Sequence, residues 1–356
     1  HPSSDEIEQA ELRLLKSAYR LDGDVHAALA GIAQVVAGTL GLDREVVLYH
    51  DLHDDQRNAR VLRLGDVIHI TFSGDLLDLL TVREQEAVLA HELAHAHLHE
   101  RDDRAYSVLD HLVHRLDAEA PDAEPIGETA RRLRLHTEVY ADAIAFEISG
   151  DLRAVVSAIV KVSTGLRNVD PDAYLRQARQ IVESDGSSSH GWTHPELHVR
   201  IACLAARATP AAQAVVGQLI DGPDDLDHID LLGQLRLQRL AADVLAAGAA
   251  VAGTHAADVS AYVRNYPELA LVAPGSGAAT LSDGELVDCA PSVRFLAGAL
   301  LVDLALSHAG PEAGLGGLQA FSDEASRLGV ADEFDKILAR AVERPVADVR
   351  SVRSMS

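Results

Sequence analysis

Residues 81–99 read TVREQEAVLAHELAHAHLH and contain His-Glu-Leu-Ala-His at positions 91–95. Residues four apart on an α-helix lie roughly 40° apart around its axis, so His91 and His95 point the same way and can ligate one metal ion. Glu92 is offset by about 100° from His91, which lets it reach a water on that ion without displacing it. The spacing predicts a zinc-binding helix with Glu92 as the general base, which takes a proton from the water and later delivers it to a leaving amine.

The residues around this motif favour a buried helix with a defined start. Thr81-Val82-Arg83-Glu84 has the pattern of a capping box, in which the Thr81 hydroxyl accepts from the Glu84 backbone and Glu84 reaches back to Thr81. Apolar residues at 88–90 and 93–94 give the helix a core-facing side and predict that it runs to about His99. The alternative is a surface helix that happens to be rich in histidine.

A β-hairpin is predicted directly upstream of the helix. Val61–Leu64 and Val67–Phe72 are β-rich runs separated by Gly65-Asp66, and Ser73-Gly74 ends the second run. We expect Val67–Phe72 to be the edge strand of a small sheet, where a peptide or protein substrate can pair with it by β-augmentation.

The remaining chain is mostly helical in pattern. We predict an α+β fold with a zinc-binding domain over residues 1–207 and a helical C-terminal domain over residues 208–356, where alanine-rich segments begin. Helical periodicity or helix-breaking residues predict helices over 5–21, 24–41, 103–118, 126–148, 151–166 and 171–184, and from His194-Pro195 onward.

A catalytic zinc site needs a third protein ligand and an open fourth position. The predicted helix Leu135–Asp142 offers Glu138 and Asp142, which are four apart and share a face. A carboxylate ligand, with a second carboxylate that orients a zinc-bound histidine, is the arrangement expected at such a site. His136 is a weaker alternative ligand, and a solvated acidic face is the alternative for the carboxylate pair.

Four blocks of the sequence together resemble a known family. The blocks are Gly65–Thr71, Glu84 with Val88–His95, Glu138–Asp142, and Thr193-His194-Pro195 with Arg200-Ile201. In this order they resemble the HtpX and CAAX-prenyl-endopeptidase family of gluzincin zinc metallopeptidases, over roughly residues 45–207. The resemblance implies a zincin-type catalytic domain, Glu138 as the third ligand of one zinc ion, and Asp142 beside a zinc-bound histidine.

The resemblance also implies that the last block lies over the active-site cleft. His194 or Arg200 is then a candidate donor to the oxyanion of the tetrahedral intermediate. The alternatives are that His194 caps a helix and that Arg200 forms a structural ion pair. Tyr140 is a third candidate donor, or else a packing residue. Many members of the family carry transmembrane helices, whereas none is predicted here, and residues 208–356 match no part of the family.

The composition limits the classes of partner that the protein can bind. The 356 residues carry a formal net charge of −24, which repels nucleic-acid phosphate and anionic lipid, so neither a nucleic-acid partner nor membrane insertion is expected. No apolar stretch reaches the roughly 18 residues that a bilayer span needs. Cys203 and Cys289 form no disulfide framework and no CxxC metal site, and free thiols are the simplest interpretation, with a single bridge as the alternative.

The N-terminal residues, His1-Pro2-Ser3-Ser4-Asp5, lack the basic and then apolar pattern of a signal peptide. We therefore expect a cytoplasmic protein, with a signal peptide removed earlier as the alternative.

The functional expectation is a zinc-dependent metalloendopeptidase. One alternative is a zinc hydrolase of a non-peptide amide in a biosynthetic pathway, which needs a narrower pocket. The other is a latent enzyme or a non-catalytic zinc-binding sensor module, which a fourth protein ligand such as His194 would favour. The same ligands also accept other divalent ions.

Overall fold

A computed structural model describes residues 4–22, 24–120, 122–251, 281–309 and 318–353. Residues 1–3, which bear on the signal-peptide question, and residues 252–280 and 310–317 of the predicted C-terminal domain lie outside the described residues. The described chain is mostly helical with one small mixed sheet, which confirms the α+β class.

The chain divides into two compact units. The first comprises His1–Pro121 and Ala130–Gly222, and the second comprises Asp122–Thr129 and Pro223–Ser356. The main boundary between the two units therefore follows Gly222. The sequence pattern changes near residue 207, and a domain boundary there stays a prediction.

The first unit holds the sheet. Its strands are β1 Ala18–Arg20, β2 Glu45–Asp51, β3 Asn58–Leu64 and β4 Val67–Ser73. The helices numbered up to ten are α1 Ser4–Ser17, α2 Ala27–Thr39, α3 Leu76–Leu79, α4 Val82–Leu98, α5 Ala105–Glu119, α6 Glu124–Ser149, α7 Leu152–Thr164, α8 Pro171–Asp185, α9 Leu197–Ala206 and α10 Ala212–Val216.

The strand order is β1-β2-β4-β3, with β2 parallel to β4 and the other pairs antiparallel. The predicted hairpin is confirmed, because β3 and β4 pair in register through a turn in which Gly65 has a φ of +55°. The prediction that Val67–Phe72 forms the edge is wrong, since β4 lies between β2 and β3. Either strand of an isolated hairpin can pair with a third strand, and the hairpin sequence does not show which one does. Here β2 pairs with β4. The outer strand next to β4 is therefore β3.

The two faces of the sheet pack against different helices. Val46, Leu48, Ile68, Ile70 and Phe72 point to one side and join the main core with apolar residues of α2, α4 and α7. The alternate residues of β2 face the opposite side and pack near α1. This alternation follows from the two-residue period of a β-strand, and α4 packs against β3.

The helix α4 begins as predicted. The Thr81 hydroxyl accepts a hydrogen bond from the Glu84 backbone, and the Glu84 carboxylate accepts one from the Thr81 backbone at 2.7 Å. The same carboxylate accepts hydrogen bonds from Lys161 Nζ at 2.8 Å and Ser157 Oγ at 2.5 Å. Glu84 therefore takes part both in the capping box of α4 and in a buried ion pair with Lys161 of α7.

Most predicted helix bounds differ from the structure by one to three residues, and two differences have a cause in the surrounding structure. The first helix ends at Ser17, and Ala18–Arg20 form β1, because these residues pair with the end of β2. The helix predicted to begin at His194-Pro195 begins at Leu197, with Glu196 as its N-cap residue. Both differences come from contacts between segments distant in sequence, or within the loop before α9, that local periodicity does not encode.

The described part of the second unit is helical, as predicted. Its helices are α11 Leu231–Val251, α12 Pro291–Ala309, α13 Gln319–Leu328, α14 Ala331–Ala341 and α15 Val346–Arg353. Their shared core includes Leu245, Leu301, Phe321 and Phe334. Across both units, none of the helices in the described ranges combines the length and apolar character that crossing a bilayer requires. Cys203 and Cys289 are free thiols.

Candidate metal centre

The motif residues lie around one cavity of about 640 Å³ in the first unit. Helix α4 contributes His91, Glu92 and His95 to its lining, and α6 contributes Glu138 and Asp142. The loop before α9 and α9 itself add His194 and Arg200. The structure thus brings together the preferred ligand and catalytic candidates of the sequence analysis.

Three side chains converge on one point. His91 Nε2 lies 3.2 Å from His95 Nε2 and 3.6 Å from Glu138 Oε2, and His95 Nε2 lies 3.5 Å from Glu138 Oε1. These three residues form a group that could hold a metal ion. Tetrahedral zinc with bonds of 2.0–2.2 Å separates its nitrogen and oxygen ligands by about 3.4 Å. The spacing of the three ligand atoms therefore fits a zinc ion.

The charge states of two of the three candidate ligands suit a cation. Burial, helped by the nearby His91 charge, lowers the pKa of His95 to about 4, so its ring is neutral near pH 7. Burial raises the pKa of Glu138, but the His194 hydrogen bond and the positive charges of His91 and Arg200 outweigh it and bring that pKa to about 2. Burial lowers the pKa of His91, but Asp142 and Glu138 outweigh it and raise that pKa, so a bound metal would have to displace the His91 proton.

Asp142 orients one of the ligands. Its Oδ1 lies 3.0 Å from His91 Nδ1, on the far side of the ring from the Nε2 that faces the other ligand atoms. The side chain is only 2% exposed. Burial alone raises the pKa of Asp142, yet Arg200 and His91 together hold it well below its ordinary value. A carboxylate that accepts from the second nitrogen of a metal-binding histidine fixes the ring orientation and increases its basicity.

Arg200 is committed to this carboxylate. Its Nε and Nη2 donate to the two oxygens of Asp142 at 2.7 and 2.6 Å, and Nη2 lies 3.8 Å from Glu138 Oε2. Such a bidentate pair has well-defined geometry. Arg200 therefore forms the structural ion pair that was one of its two interpretations, and its role as an oxyanion donor stays a prediction.

Glu92 lies beside the ligands without belonging to them. It is buried and lines the cavity. Burial raises the pKa of Glu92 to about 7, against the His91 charge and with a contribution from Glu138. A carboxyl group with a pKa near the working pH is suited to proton transfer. A divalent cation at the ligands would lower this pKa and keep Glu92 ionised as a base.

His194 touches the third ligand from the mouth of the cavity. Its Nδ1 lies 3.0 Å from Glu138 Oε2, while 63% of its side chain is exposed. The position fits a residue that holds Glu138 and meets a bound substrate. The ligand group found among the described residues has three members, so His194 is not placed as a fourth ligand.

Two residues that the sequence analysis missed hold the loop before α9. Arg131 donates to the carbonyls of Ser189 and Gly191 at 3.1 and 3.0 Å. Glu196 accepts from Ser189 Oγ at 2.6 Å and from the His190 backbone at 3.0 Å. Only Glu196 could have been noticed in the sequence, because it follows Pro195 at the predicted start of a helix. These bonds preorganise the loop that carries His194.

Other sequence candidates lie elsewhere. His136 pairs with Asp221 at 2.7 Å, and both His136 and Tyr140 line a separate cavity of about 810 Å³. The structure therefore gives no support to His136 as a ligand or Tyr140 as an oxyanion donor.

Searches of the sequence against family models and curated proteins, and of the structure against solved structures, find no match. The resemblance to gluzincins therefore rests on the four sequence blocks.

Proposed function

We propose that the protein is a zinc-dependent metallopeptidase with a gluzincin-type site in its first unit. The observation that carries the proposal is the convergence of His91, His95 and Glu138 at 3.2–3.6 Å with the buried Glu92 beside them. Three protein ligands are the set found at catalytic zinc sites, where the fourth position is left to water or substrate, whereas structural sites use four.

His91, His95 and Glu138 would hold the ion. When bound, zinc lowers the pKa of a coordinated water to about 7 and polarises a carbonyl oxygen. Asp142 keeps the His91 ring oriented, and Arg200 keeps Asp142 ionised and in place. The ligand geometry is thereby preorganised before substrate binds.

Glu92 carries the proton in this proposal. Its carboxylate removes a proton from the attacking water and afterwards gives that proton to the amine nitrogen that leaves. His194, exposed at the mouth of the cavity, remains the candidate donor to the oxyanion.

A peptide substrate would pair with β3. Asn58, Ala59, Arg60 and Val61 of this strand line the cavity that contains the metal ligands. Because β3 ends the strand order, its outer side offers backbone donors and acceptors to an extended chain. The proposed substrate position therefore moves from residues 67–72 to β3.

Replacing Glu92 with glutamine tests the mechanism. We expect zinc content to remain at one ion per chain while peptide hydrolysis falls by at least about a hundredfold, since a general base contributes roughly 10²–10⁴-fold. Glu86→Gln on the same helix, where Glu86 pairs with Arg83, is the matched control and should retain full activity. Full activity in the Glu92→Gln protein would rule the mechanism out.

A second candidate is hydrolysis of a non-peptide amide. The cavity volume of about 640 Å³ favours it, because it lies within the range of about 300–1,000 Å³ typical of small-molecule sites. Assaying unstructured peptides and small N-acyl amides side by side separates the two. Cleavage of amides alone would favour the second candidate, and one tightly bound zinc without hydrolysis of either class would favour a sensor module.

A further inference from the structure

The cavity has two distinct walls beyond the metal ligands. All its acidic residues, Glu92, Glu138 and Asp142, belong to the metal site. The other charged lining residues apart from Arg200 are Arg57, just before β3, and Arg60 within it. A protein of net charge −24 thus places an arginine beside its candidate substrate strand.

Arg57 lies at one end of the cleft. Its Nε donates to Asp75 Oδ1 at 2.6 Å, and its guanidinium reaches the last turn of α7. A Cβ added to Gly165, the C-cap of α7, would lie only 2.5 Å from Arg57 Nη1. The side chain therefore reaches from the residue before β3 to the end of α7 and places a cation at the cavity wall.

Arg60, within β3, points the other way. Its neighbours Ala59 and Val61 face the main core, so its side chain lies on the opposite face of the sheet, where its Nη2 donates to Asp51 Oδ2 at 3.2 Å. Arg57 is therefore the cation that faces the cavity. An arginine carries five N–H donors, and within the described residues Arg57 uses one of them, on Asp75, which does not line the cavity. Asp75 thus holds the Arg57 guanidinium and leaves donors for a ligand.

The opposite wall is apolar. Val155, Ala158, Ile159 and Val162 of α7 line the cavity at helical spacing, so one face of α7 looks across it. An extended peptide paired with β3 would meet this face with an apolar side chain, while Arg57, just before β3, lies beside a neighbouring residue of the peptide. Arginine binds carboxylates in a bidentate, charge-assisted manner, which makes a carboxylate the complementary group.

We propose that Arg57 determines specificity by binding a substrate carboxylate next to an apolar side chain held by α7. The inference rests on the proposed peptidase function. The carboxylate is either an aspartate or glutamate side chain within about three residues of the cleaved bond or the free C-terminus of a short peptide.

The test uses the full zinc-loaded chain and six peptides. They share one sequence with leucine at its centre, vary a neighbouring residue among Glu, Gln and Lys, and carry either a free or an amidated C-terminus. We expect kcat/KM for the carboxylate-bearing peptides to exceed that of their neutral counterparts by at least about tenfold, as charged hydrogen bonds typically give. Preference for Glu identifies a side-chain carboxylate, and preference for the free acid identifies the C-terminus.

The variants assign the effect to Arg57. In Arg57→Gln the preference should shrink toward onefold, and Arg57→Glu should favour the Lys peptide. Arg60→Gln, which removes a pair with Asp51 on the opposite face of the sheet, should leave the preference unchanged. Arg153→Ala, on the first turn of α7, removes an exposed pair with Asp172 outside the cavity and should also leave it unchanged. Equal cleavage of all six peptides, or a preference that survives in Arg57→Gln, would overturn the inference.

Binding separates this inference from the peptidase proposal. The same peptides are titrated into the zinc-loaded Glu92→Gln protein by calorimetry. Selective binding of carboxylate peptides without cleavage by the wild type would leave the carboxylate site standing and remove the peptidase function. Cleavage by the wild type without selectivity for carboxylate peptides in either assay would support the peptidase function and remove the carboxylate site.

Discussion

Helix α4 carries two buried polar clusters that differ in how their atoms are satisfied. At its start, Glu84 accepts from Ser157, Lys161 and the Thr81 backbone, so both carboxylate oxygens have donors. Two turns further on, His91 and His95 each place Nε2 3.5–3.6 Å from the Glu138 carboxylate. The first cluster is complete within the protein, whereas the second gathers three side chains that could hold a metal ion. Under the proposed function, the first cluster stabilises the fold and the second performs the chemistry.

Removing a ligand should give the largest effect. We expect His95→Ala to lose zinc binding and, with it, several kcal/mol of transition-state stabilisation, so that hydrolysis falls by at least about a thousandfold. Zinc titration followed by mass spectrometry and activity measures this. Added zinc should raise the Tm of the wild type by linkage and leave that of the variant unchanged. A variant that still binds one zinc with wild-type affinity would contradict the ligand assignment.

Breaking the first cluster should affect stability and spare the chemistry. Lys161→Ala leaves a buried carboxylate without its cation, and we expect a loss of about 3–5 kcal/mol in the free energy of unfolding. Activity per folded, zinc-loaded molecule should stay within about twofold. Denaturant unfolding and active-site titration provide the two measurements.

A compensated variant is the control for this prediction. Glu84→Gln with Lys161→Met keeps a residue able to form the capping box and removes both charges, so it should be more stable than Lys161→Ala alone. The pKa of Glu84 is lowered by its three donors against the effect of burial. The wild-type pair therefore contributes stability above about pH 4.5 that is lost as the pH falls, and the double variant should lack this loss.

Asp142→Asn should weaken the metal site without removing a ligand. Its loss of negative charge makes His91 a poorer ligand, and we expect zinc affinity to fall by about 10–100-fold. Competition with a chromophoric chelator measures the affinity. Glu147→Gln on the same helix, where Glu147 pairs with Arg207, should keep wild-type affinity. Equal affinity in Asp142→Asn would mean that Asp142 only balances the charge of Arg200.

His69 on β4 differs from both clusters on α4, because it is a buried polar residue without a hydrogen-bond partner among the described residues. Replacing it should have the smallest effect on stability. Its side chain is 4% exposed, and within the described part of the chain neither ring nitrogen has a hydrogen-bond partner. The charged groups around it there are Glu11, Arg20 and Glu45. Burial lowers the pKa of His69, so the unfolded chain binds a proton more readily than the folded one. The stability linked to His69 is present above about pH 6.5 and is lost below it, by at most about 1.4 kcal/mol per pH unit.

His69→Leu should remove this sensitivity. We expect the free energy of unfolding to fall less steeply between pH 6.5 and 5 in the variant than in the wild type. Replacement of the exposed His111 by Gln on α5 is the control and should leave the slope unchanged. Identical slopes in His69→Leu and the wild type would show that His69 is not protonated on unfolding in this range.

Much of the site was predictable because helix geometry is local. The spacing of His91, Glu92 and His95 and of Glu138 with Asp142 determines which side chains share a helix face, and the structure places them accordingly. The capping box at Thr81 and Glu84 is equally local, since it involves one turn. The pairing of Arg200 with Asp142 was only one of two interpretations, because a sequence does not show which of several acceptors an arginine reaches.

The sequence by itself determined the α+β class, the β3–β4 hairpin and the residues of the candidate metal site, because helical and strand periods and short turns act within a few residues. The tertiary structure alone decided that β2 pairs with β4, that β3 is the strand beside the cavity, and that Arg57 reaches the end of α7. Pairing between distant segments depends on how the whole core is buried, and no local pattern encodes it. The candidate catalytic residues could therefore be predicted from the sequences of α4 and α6. The candidate specificity residue could be identified only from the tertiary structure.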